Sequence, residues 1–445
     1  MTKIWSLREY GIVVEGNCFD QKGLDEIHVP TSVFQELVDL SLQFKKNGLS
    51  ILHLETQRRL KVDNYVGIIQ TKCGNVIEIL PKHVEDNLDQ EANLESERAL
   101  LKKMLLALWD LPKPREAGQA SLQTFPMPLN EWLMQYFLEH CEQLIQRGLR
   151  SEYSTIEEQS SFLKGKLDVT KMMRQPVTKQ HLLPIHYDEF LPNTAPNRLL
   201  KSALEKICKL TQNNDNWRLA VELKERMSGI PQSAIYRLDF QQWHTGRLLA
   251  HYDAIKPWCQ IILGDEIPFA LSGDTDGLSF LFPMEKLFEA YVLSKLEEQY
   301  SEHYQIQRQK SNKYLCYHNG KDRFNLRPDI YFEAKNKNIH SNMILDTKWK
   351  LLDQNSEDQR YGISDGDMQQ MFAYSYMYLE HDSPIVLIYP KSSKFNEALP
   401  EFQLNKHERD QGKNPEIWVL PFDLDNDELI DFDKIEKLRH WRLLT

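Results

Sequence analysis

The chain has 445 residues, of which 41% are hydrophobic, 27% charged and 10% aromatic. This composition is ordinary for a globular protein and excludes a disordered chain, a fibre and a disulfide scaffold, while the length predicts two or three domains. The 54 Lys and Arg residues against 65 Asp and Glu residues give a net charge of −11, which by itself argues against a polyanionic partner. Charges at the N-terminus and the lack of an apolar run of about 18 residues predict a soluble cytoplasmic protein that does not contact membranes.

Residues 1–91 are predicted to form a β-rich N-terminal domain. Strands are expected at residues 12–14, 66–71 and 73–81, and the last two are joined by a Gly-Asn turn. One helix is expected at residues 32–44.

Residues 92–280 are predicted to form a mainly helical middle region. Apolar residues recur at helical spacing in residues 129–148, with Gly148 where a C-cap is expected, and residues 197–207 also read as a helix. A basic stretch lies between these two helices and contains Lys164, Lys166, Lys171, Arg174 and Lys179.

Residues 281–445 are predicted to form an α/β domain, because helices alternate with strands. The acidic run at residues 423–433 is expected to be a solvated surface. The fold class expected for the whole chain is therefore α+β multidomain. The elements predicted for the last part are a helix at residues 284–296, short strands, a loop with Gly362 and Gly366, a helix at 367–379 and a buried strand at 384–389.

Several common catalytic motifs are missing from the sequence. It contains no G-x-x-x-x-G-K-[ST], G-x-S-x-G, H-E-x-x-H or G-x-G-x-x-G, so a P-loop NTPase is excluded along with the other enzymes that use these motifs. The 14 histidines and six cysteines are scattered without the spacing of metal ligands.

The informative stretch reads LRPDIYF, then a polar interval, then MILDTKWK. Asp346 and Lys348 follow an apolar run, so on a strand they share one face. Asp329 begins the neighbouring apolar segment, and the polar interval at residues 333–341 suits a hairpin loop. Two adjacent strands would then present Asp329, Asp346 and Lys348 together.

Two carboxylates beside a lysine are suited to metal-assisted phosphodiester hydrolysis. Carboxylate oxygens suit Mg²⁺, which polarises a phosphate and acidifies a bound water, and a lysine orients that water or offsets charge in the transition state. An acid-x-Lys triplet arises easily in a charged chain, so an ordinary surface hairpin with Asp/Lys pairs remains the alternative.

Two flanking helices support the catalytic interpretation. Glu285 and Glu289 lie at i, i+4 on the preceding helix, and Gln370 and Tyr374 lie at i, i+4 on the following one, so each pair shares a helix face. The alternative for the second helix is an ordinary amphipathic helix packed through Met371 and Tyr374.

Basic residues cluster just before Asp329 and could form an edge that tracks phosphates, although such a cluster is more often a solvated face. The cluster consists of Arg308, Lys310, Lys313, Lys321, Arg323 and Arg327.

Taken in order, these residues resemble the PD-(D/E)xK nuclease pattern, and the chain more specifically resembles the McrC family, the nuclease subunits of McrBC modification-dependent restriction systems. The resemblance extends over most of the chain, through five further segments. They are VGII from Val66, IEILPK from Ile77, LKGKLD from Leu163, NRLLK from Asn197 and MEKLFE from Met284.

The resemblance implies that residues 281–445 are a restriction-endonuclease-like domain and that the protein is a metal-dependent endodeoxyribonuclease. It assigns a role to each candidate residue. Asp329 and Asp346 would be the ligands of Mg²⁺ with Glu289 as an auxiliary acid, Lys348 the catalytic lysine, and Gln370 and Tyr374 the helix residues that flank the site.

The resemblance also implies a partner and a substrate. The partner would be a McrB-like AAA+ GTPase hexamer, on which the N-terminal domain docks and whose GTP hydrolysis the chain stimulates. The substrate would be double-stranded DNA with modified cytosine, in defence against phage. Two alternatives stay open: a non-cleaving regulatory or scaffold subunit of the ring, which an intact acid, acid, lysine set disfavours, and a free-standing repair nuclease.

Overall fold

In the computed structural model the chain forms two compact units. The first unit contains Met1–Ile4, Ile68–Glu78 and Pro126–Leu281, and the second contains Trp5–Gly67, Ile79–Phe125 and Phe282–Thr445. The division into the three domains expected from the sequence stays a prediction. The structure describes residues 3–16, 23–46, 48–72, 74–83, 90–108, 127–244, 246, 250–264, 271–272, 280–336, 341–379, 383–404 and 416–435.

Short strands surround one long helix in the N-terminal part of the chain. The predicted strands and the predicted helix at residues 32–44 are confirmed, and Cys73 in the predicted turn lies outside the described residues. The elements are β1 (Ile4–Arg8), β2 (Ile12–Glu15), β3 (Glu26–Val29), α1 (Thr31–Lys46), β4 (Leu52–Thr56), β5 (Arg59–Val62), β6 (Tyr65–Gln70), β7 (Val76–Leu80) and α2 (Gln90–Leu108).

Helices dominate the middle of the chain, as expected. The predicted helices correspond to α3, which ends before Gly148 at φ +102°, and to α5. The elements are α3 (Leu129–Arg147), β8 (Glu152–Ser160), β9 (Lys166–Leu167), α4 (Val169–Met173), β10 (Leu183–Leu191), α5 (Ala195–Leu210), α6 (Asn214–Arg226), α7 (Tyr236–Gln242), α8 (Ala250–Asp253), α9 (Lys256–Leu263) and β11 (Leu271–Ser272).

A three-stranded antiparallel sheet of order β8-β10-β9 lies within this helical region and was not predicted. The β8 strand reads EYSTIEEQS, and most of its residues are exposed. A strand that is solvated on both faces lacks the alternation of apolar and polar residues that reveals a strand in a sequence. The predicted basic stretch falls in this segment.

The last part alternates helices and strands as predicted. The elements are β12 (Phe280–Pro283), α10 (Met284–Tyr300), β13 (Tyr304–Arg308), β14 (Lys313–His318), β15 (Lys321–Leu326), β16 (Ile330–Ala334), β17 (Met343–Thr347), α11 (Asp365–Tyr378), β18 (Ile385–Pro390), β19 (Phe402–Gln403), β20 (Glu416–Asp423) and β21 (Glu428–Leu429), with a 3-10 helix at Glu357–Gly362.

The described strands form further sheets. A four-stranded sheet has the order β3-β2-β5-β4, and its β2 and β4 strands contact α1. A five-stranded sheet has the order β1-β7-β6-β12-β11. The seven-stranded sheet has the order β13-β16-β17-β18-β20-β19, with β21 paired to β20, and β14 pairs with β15 in a separate hairpin.

The seven-stranded sheet lies between two helices. Met371 and Tyr374 of α11 join a buried cluster with Ile344 of β17 on one face. On the other face, Phe288 of α10 packs edge-on against Phe422 of β20, with ring centroids 6.3 Å apart. Strands β17, β18 and β20 are parallel, and all their residues except Glu416 at the start of β20 are buried, as expected for the centre of a sheet covered on both faces.

Two expectations for this part were wrong in detail. Helix α11 begins at Asp365, so Gly366 lies in its first turn and not in a loop, because Ser364 and Asp367 form a capping box. The acidic run is not wholly solvated, because Asp423 is buried and its Oδ2 accepts from Lys391 Nζ at 2.6 Å. Among the described residues, no helix has the length and apolar character needed to span a bilayer.

Candidate active site

The two predicted acidic residues lie opposite each other on adjacent antiparallel strands. Ile330 of β16 pairs with Leu345 of β17, and continuing this register by one residue places Asp329 opposite Asp346. Opposite residues in an antiparallel pair point to the same face of the sheet. Asp346 is fully buried and Asp329 half-buried, so the predicted hairpin presents its two carboxylates together.

A chain of hydrogen bonds connects the predicted lysine to the predicted helix residues. Lys348 Nζ donates to Asp346 Oδ2 at 2.5 Å and to Gln370 Oε1 at 3.1 Å. Gln370 Nε2 donates to Tyr374 Oη at 2.8 Å, and Tyr374 Oη donates to the Arg327 carbonyl at 2.8 Å. On α11, Gln370 therefore contacts the lysine, and Tyr374 contacts Gln370.

Thr347 fixes the first acid from the neighbouring strand. Its backbone N–H donates to Asp329 Oδ2 at 2.9 Å and its hydroxyl donates to the same oxygen at 3.0 Å. Both bonds end on one carboxylate oxygen, so they set the orientation of the Asp329 carboxylate without using its other oxygen.

The electrostatics of the pair reflect burial and mutual repulsion. Burial, with the charges of Asp346 and Glu289, raises the pKa of Asp329 to about 7. Burial also raises the pKa of Asp346, although Lys348 opposes this shift. Burial lowers the pKa of Lys348, but the charge and hydrogen bond of Asp346 outweigh that effect and raise the pKa above its ordinary value. The lysine is therefore an ammonium group, and the acids lie where an added cation would relieve their repulsion.

Glu289 lies beside this pair on α10. It is buried, and its Oε2 accepts from Lys286 Nζ at 2.7 Å while its Oε1 accepts from Gln309 Nε2 at 2.8 Å. Arg308 Nε lies 3.8 Å from Oε1. The other acid of the predicted i, i+4 pair, Glu285, is exposed. Glu289 thus acts on the two aspartates through its charge, while both of its oxygens are occupied by protein donors.

The residues fit a divalent cation held by two carboxylates. Asp346 Oδ1 is buried and accepts no hydrogen bond from any described residue, which leaves a buried anionic oxygen for a ligand. Within the described ranges, no three or more His, Cys, Asp or Glu side chains are grouped so that they could hold a metal ion. Mg²⁺ commonly uses one or two carboxylates and completes its shell with water and phosphate oxygens. Asp329 and Asp346 fit that role better than a triad that includes Glu289.

The residue after the lysine anchors the site to the N-terminal part of the second unit. Trp349 Nε1 donates to Glu9 Oε1 at 2.7 Å, and the Lys82 backbone N–H donates to the same oxygen at 3.0 Å. The Trp349 ring packs on Phe288 with centroids 5.2 Å apart. Trp349 is thereby held on two sides, which limits the movement of Lys348 next to it.

The predicted basic edge is largely solvated. The Lys310 ammonium group is the exception, because it lies over the Tyr331 ring at 3.6 Å from the centroid and is half-buried. The exposed members are Arg308, Lys313, Lys321, Arg323 and Arg327.

Four further residues of the site were not identified from the sequence. Thr347 and Gln309 orient Asp329 and Glu289, Glu9 anchors Trp349, and the charge of Asp367 raises the pKa of Asp346. Thr347 could have been singled out, because it stands between the motif's acid and its lysine. Glu9 and Gln309 carry no local signal, since their roles depend on contacts across the fold.

Comparisons with known proteins agree with this architecture. A chain from the half-complex of the tetradecameric assembly of Thermococcus gammatolerans McrB AAA+ hexamers with bound McrC has a TM-score of 0.67 and 17% identity, and the alignment covers 100% of both chains. A chain of the Thermococcus gammatolerans McrBC complex has a TM-score of 0.49 and 18% identity, covering 66% of this chain and 87% of that one. A search of curated proteins finds no match.

At such low identity, the first likeness shows a shared fold and no more. The family comparison goes further, because the model described as "McrBC 5-methylcytosine restriction system component" matches residues 60–390, well over half of the chain and all the candidate site residues from Glu289 to Tyr374. The chain therefore belongs to the McrBC family of restriction system components.

Proposed function

We propose that the chain is a Mg²⁺-dependent DNA endonuclease of the PD-(D/E)xK type. One observation carries the proposal: a buried, unpartnered oxygen of Asp346 lies on a strand directly opposite Asp329, with the Lys348 ammonium group bonded to the same carboxylate. This combination supplies two metal ligands and one cation at the ends of two adjacent strands, as phosphodiester hydrolysis requires.

Each residue has a distinct part in the proposed reaction. Bound Mg²⁺ would polarise the scissile phosphate and acidify a water. Asp329 and Asp346 would hold it, and Thr347 keeps the Asp329 carboxylate in place. Lys348 would offset the charge that develops on the phosphate oxygens or orient the attacking water, since a fixed ammonium group costs little reorganisation. Gln370 aims Lys348.

We further propose that the chain acts with a McrB-like AAA+ GTPase hexamer on double-stranded DNA that contains modified cytosine. Membership of the McrBC family supports this proposal. The assembly to which the fold is similar combines McrB hexamers with bound McrC. The sequence has no P-loop, so nucleotide hydrolysis would belong to the partner, which residues 1–91 would contact and stimulate.

A non-cleaving regulatory subunit is the second candidate. The paired carboxylates and the bonded lysine disfavour it, because a scaffold has no need of a buried, unpartnered carboxylate oxygen, which costs stability.

The test is a cleavage assay with the purified chain, alone and with its candidate AAA+ NTPase and nucleotide. Methylated and unmethylated duplexes are incubated with Mg²⁺ or EDTA. The proposal predicts cleavage of methylated DNA only with partner, nucleotide and Mg²⁺ present. Cleavage by the chain alone would indicate a free-standing nuclease.

Variants complete the assay. Asp346→Asn should abolish cleavage, whereas the control Asp358→Asn removes an exposed carboxylate from the 3-10 helix and should cut normally. Stimulated NTP hydrolysis without any DNA cleavage by the unaltered complex would support the regulatory candidate instead.

A further inference from the structure

The β14–β15 hairpin is a two-stranded ribbon that contributes little to the core. Its strands pair with each other and with no other described strand, and all six residues of β14 are exposed. An isolated hairpin is only marginally stable in water, so a solvated ribbon of this kind usually has a reason to be kept.

The two faces of the ribbon differ in chemistry. His318 pairs with Lys321 and Cys316 with Arg323, so the basic side chains Lys321 and Arg323 share one face with His318. On the other face, Leu315 is 55% and Tyr317 72% exposed, and Asp322 lies opposite Tyr317.

A third apolar side chain lies beside this second face. Phe324 is 73% exposed, stands at the position opposite Leu315 and has φ +57°. Such a φ is uncommon for a bulky residue, so the ring is exposed at a cost in backbone strain and gains no burial in return. Core packing does not account for these three side chains.

The base of the ribbon is fixed to α11, the helix whose Gln370 accepts a hydrogen bond from the candidate lysine. Tyr378 Oη of α11 bonds to the Leu326 carbonyl at 2.7 Å and to the Lys310 carbonyl at 2.8 Å. Leu326 lies three residues before Asp329, and Gln370 on the same helix bonds to Lys348. A ligand held by the ribbon is therefore held at a set position relative to the two aspartates.

We propose that the β14–β15 hairpin enters a groove of duplex DNA beside the bond to be cut, with its basic face on the phosphates and Leu315, Tyr317 and Phe324 against the bases. The inference rests on the proposed nuclease function and adds a DNA-binding element and a mode of binding to it. Strands of six residues span about 20 Å, and the major groove, about 12 Å wide, admits a two-stranded ribbon.

Charge selects DNA as the occupant. The ribbon carries Lys313, His318, Lys321 and Arg323 against the single acid Asp322, in a chain whose net charge is −11. Phosphates favour such a local basic surface, and apolar side chains in the major groove contact base-pair edges such as the thymine methyl group.

The test measures binding of the full-length chain to a fluorescent duplex in EDTA, which separates binding from cleavage. Tyr317→Ala combined with Leu315→Ala should weaken binding roughly tenfold, because the variant loses apolar surface that is buried against the base edges. Lys321→Glu combined with Arg323→Glu should weaken binding further and reduce the salt dependence by about two phosphate contacts.

Matched controls and a base-specific readout make the result interpretable. Leu54→Ala removes a side chain that is 53% exposed on β4, and Lys45→Glu with Lys46→Glu reverses two exposed charges on α1; neither should change binding. Guanine N7, which lies in the major groove, should be protected from methylation by dimethyl sulfate when the unaltered chain binds, and this protection should be lost with Tyr317→Ala. Thermal unfolding of every variant should match the unaltered chain, since these sites are solvated.

Three outcomes would overturn the proposal. The first is that the hairpin variants bind DNA as well as the controls do, and the second is that the unaltered chain does not bind duplex at low salt. The third is that the hairpin variants bind DNA normally but no longer bind the AAA+ partner, which would make the hairpin a protein-docking surface. Normal DNA binding by a chain that never cleaves would leave the hairpin proposal standing and remove the nuclease function.

Discussion

Strand β17 and the β14–β15 hairpin show opposite environments within the same part of the chain. Every residue of β17 is buried and every residue of β14 is exposed. The buried strand holds Asp346 in a low-dielectric setting where pKa values shift and geometry is fixed, whereas the exposed ribbon is free to meet a large ligand. We therefore expect catalysis and DNA binding to depend on different strands, and variants in β17 and in the hairpin test this division.

The largest expected effect belongs to Asp346→Asn, which removes one charged ligand without changing the size of the side chain. Cleavage by the assembled complex should fall by at least about 10³-fold, because a Lewis-acid metal supplies several kcal/mol of transition-state stabilisation. Steady-state cleavage kinetics measure this. Wild-type kinetics in this variant would show that the buried strand does not carry the chemistry.

Lys348→Ala should follow, with a loss of roughly 10²–10³ in kcat, since a preorganised cation at the developing charge is worth about 3–4 kcal/mol. KM should change little if the lysine acts only in the transition state. Lys350→Ala is the control, because Lys350 bonds to the Gly362 carbonyl outside the hydrogen-bond chain of the site. An equal loss in both variants would contradict the assignment.

A pair of leucines tests the comparison through stability. Leu345→Ala in the fully buried β17 should lower the free energy of unfolding by about 2–5 kcal/mol. Leu315→Ala in the exposed β14 should change it by less than about 0.5 kcal/mol. Denaturant unfolding of both variants gives the two values. Similar losses would mean that the hairpin is packed against something in solution.

Glu9 provides a pH test of the buried side. Burial raises the pKa of Glu9 from 4.5 to about 7, although the bonds from Lys82 and Trp349 oppose the shift. Between these values the folded chain holds a proton that the unfolded chain has released, so the free energy of unfolding should fall as the pH rises from about 4.5 to about 7.

The fall attributable to Glu9 is at most about 3 kcal/mol, from about 1.4 kcal/mol for each unit of pKa shift. Glu9→Gln keeps an acceptor for Trp349 and should flatten the pH dependence of unfolding in that range. An unchanged profile would show that Glu9 is not buried against Trp349 in solution.

The smallest effect on cleavage is expected for Tyr374→Phe, which removes only the hydroxyl that joins Gln370 to the Arg327 carbonyl. The cleavage rate should fall roughly 10-fold, which is the low end of the losses seen when a hydrogen-bond partner of a metal-site residue is removed. The KM for DNA should stay within twofold. A loss as large as that of Lys348→Ala would place Tyr374 in contact with the reacting groups.

The buried central strands could be predicted from the sequence, whereas the exposed strand β8 could not. Apolar runs before Asp346 and in β18 marked the central strands, and period two placed the acid and the lysine on one face. The same rule does not identify β8, because most of its residues are exposed and it lacks an alternation of apolar and polar residues. The β8-β10-β9 sheet was therefore not predicted. The expectation that the acidic run is solvated was wrong for another reason. The tertiary fold brings Lys391 to Asp423, and this ion pair allows Asp423 to be buried.

Within the site, local pattern identified the acids, the lysine and the i, i+4 pair on α11. It could not identify Gln309 or Glu9, because their partners lie 20 and 340 positions away in the sequence. Nor could it show that both oxygens of Glu289 accept hydrogen bonds from protein donors.

The central claim is that Asp329 and Asp346 hold a divalent cation. Titration of the purified chain with Mn²⁺, followed by electron paramagnetic resonance and by competition with Mg²⁺, tests it without DNA or partner. We expect saturable binding by the unaltered chain and by Asp358→Asn, loss of binding in Asp346→Asn and weakened binding in Asp329→Asn. Binding that is unchanged in both aspartate variants would contradict it.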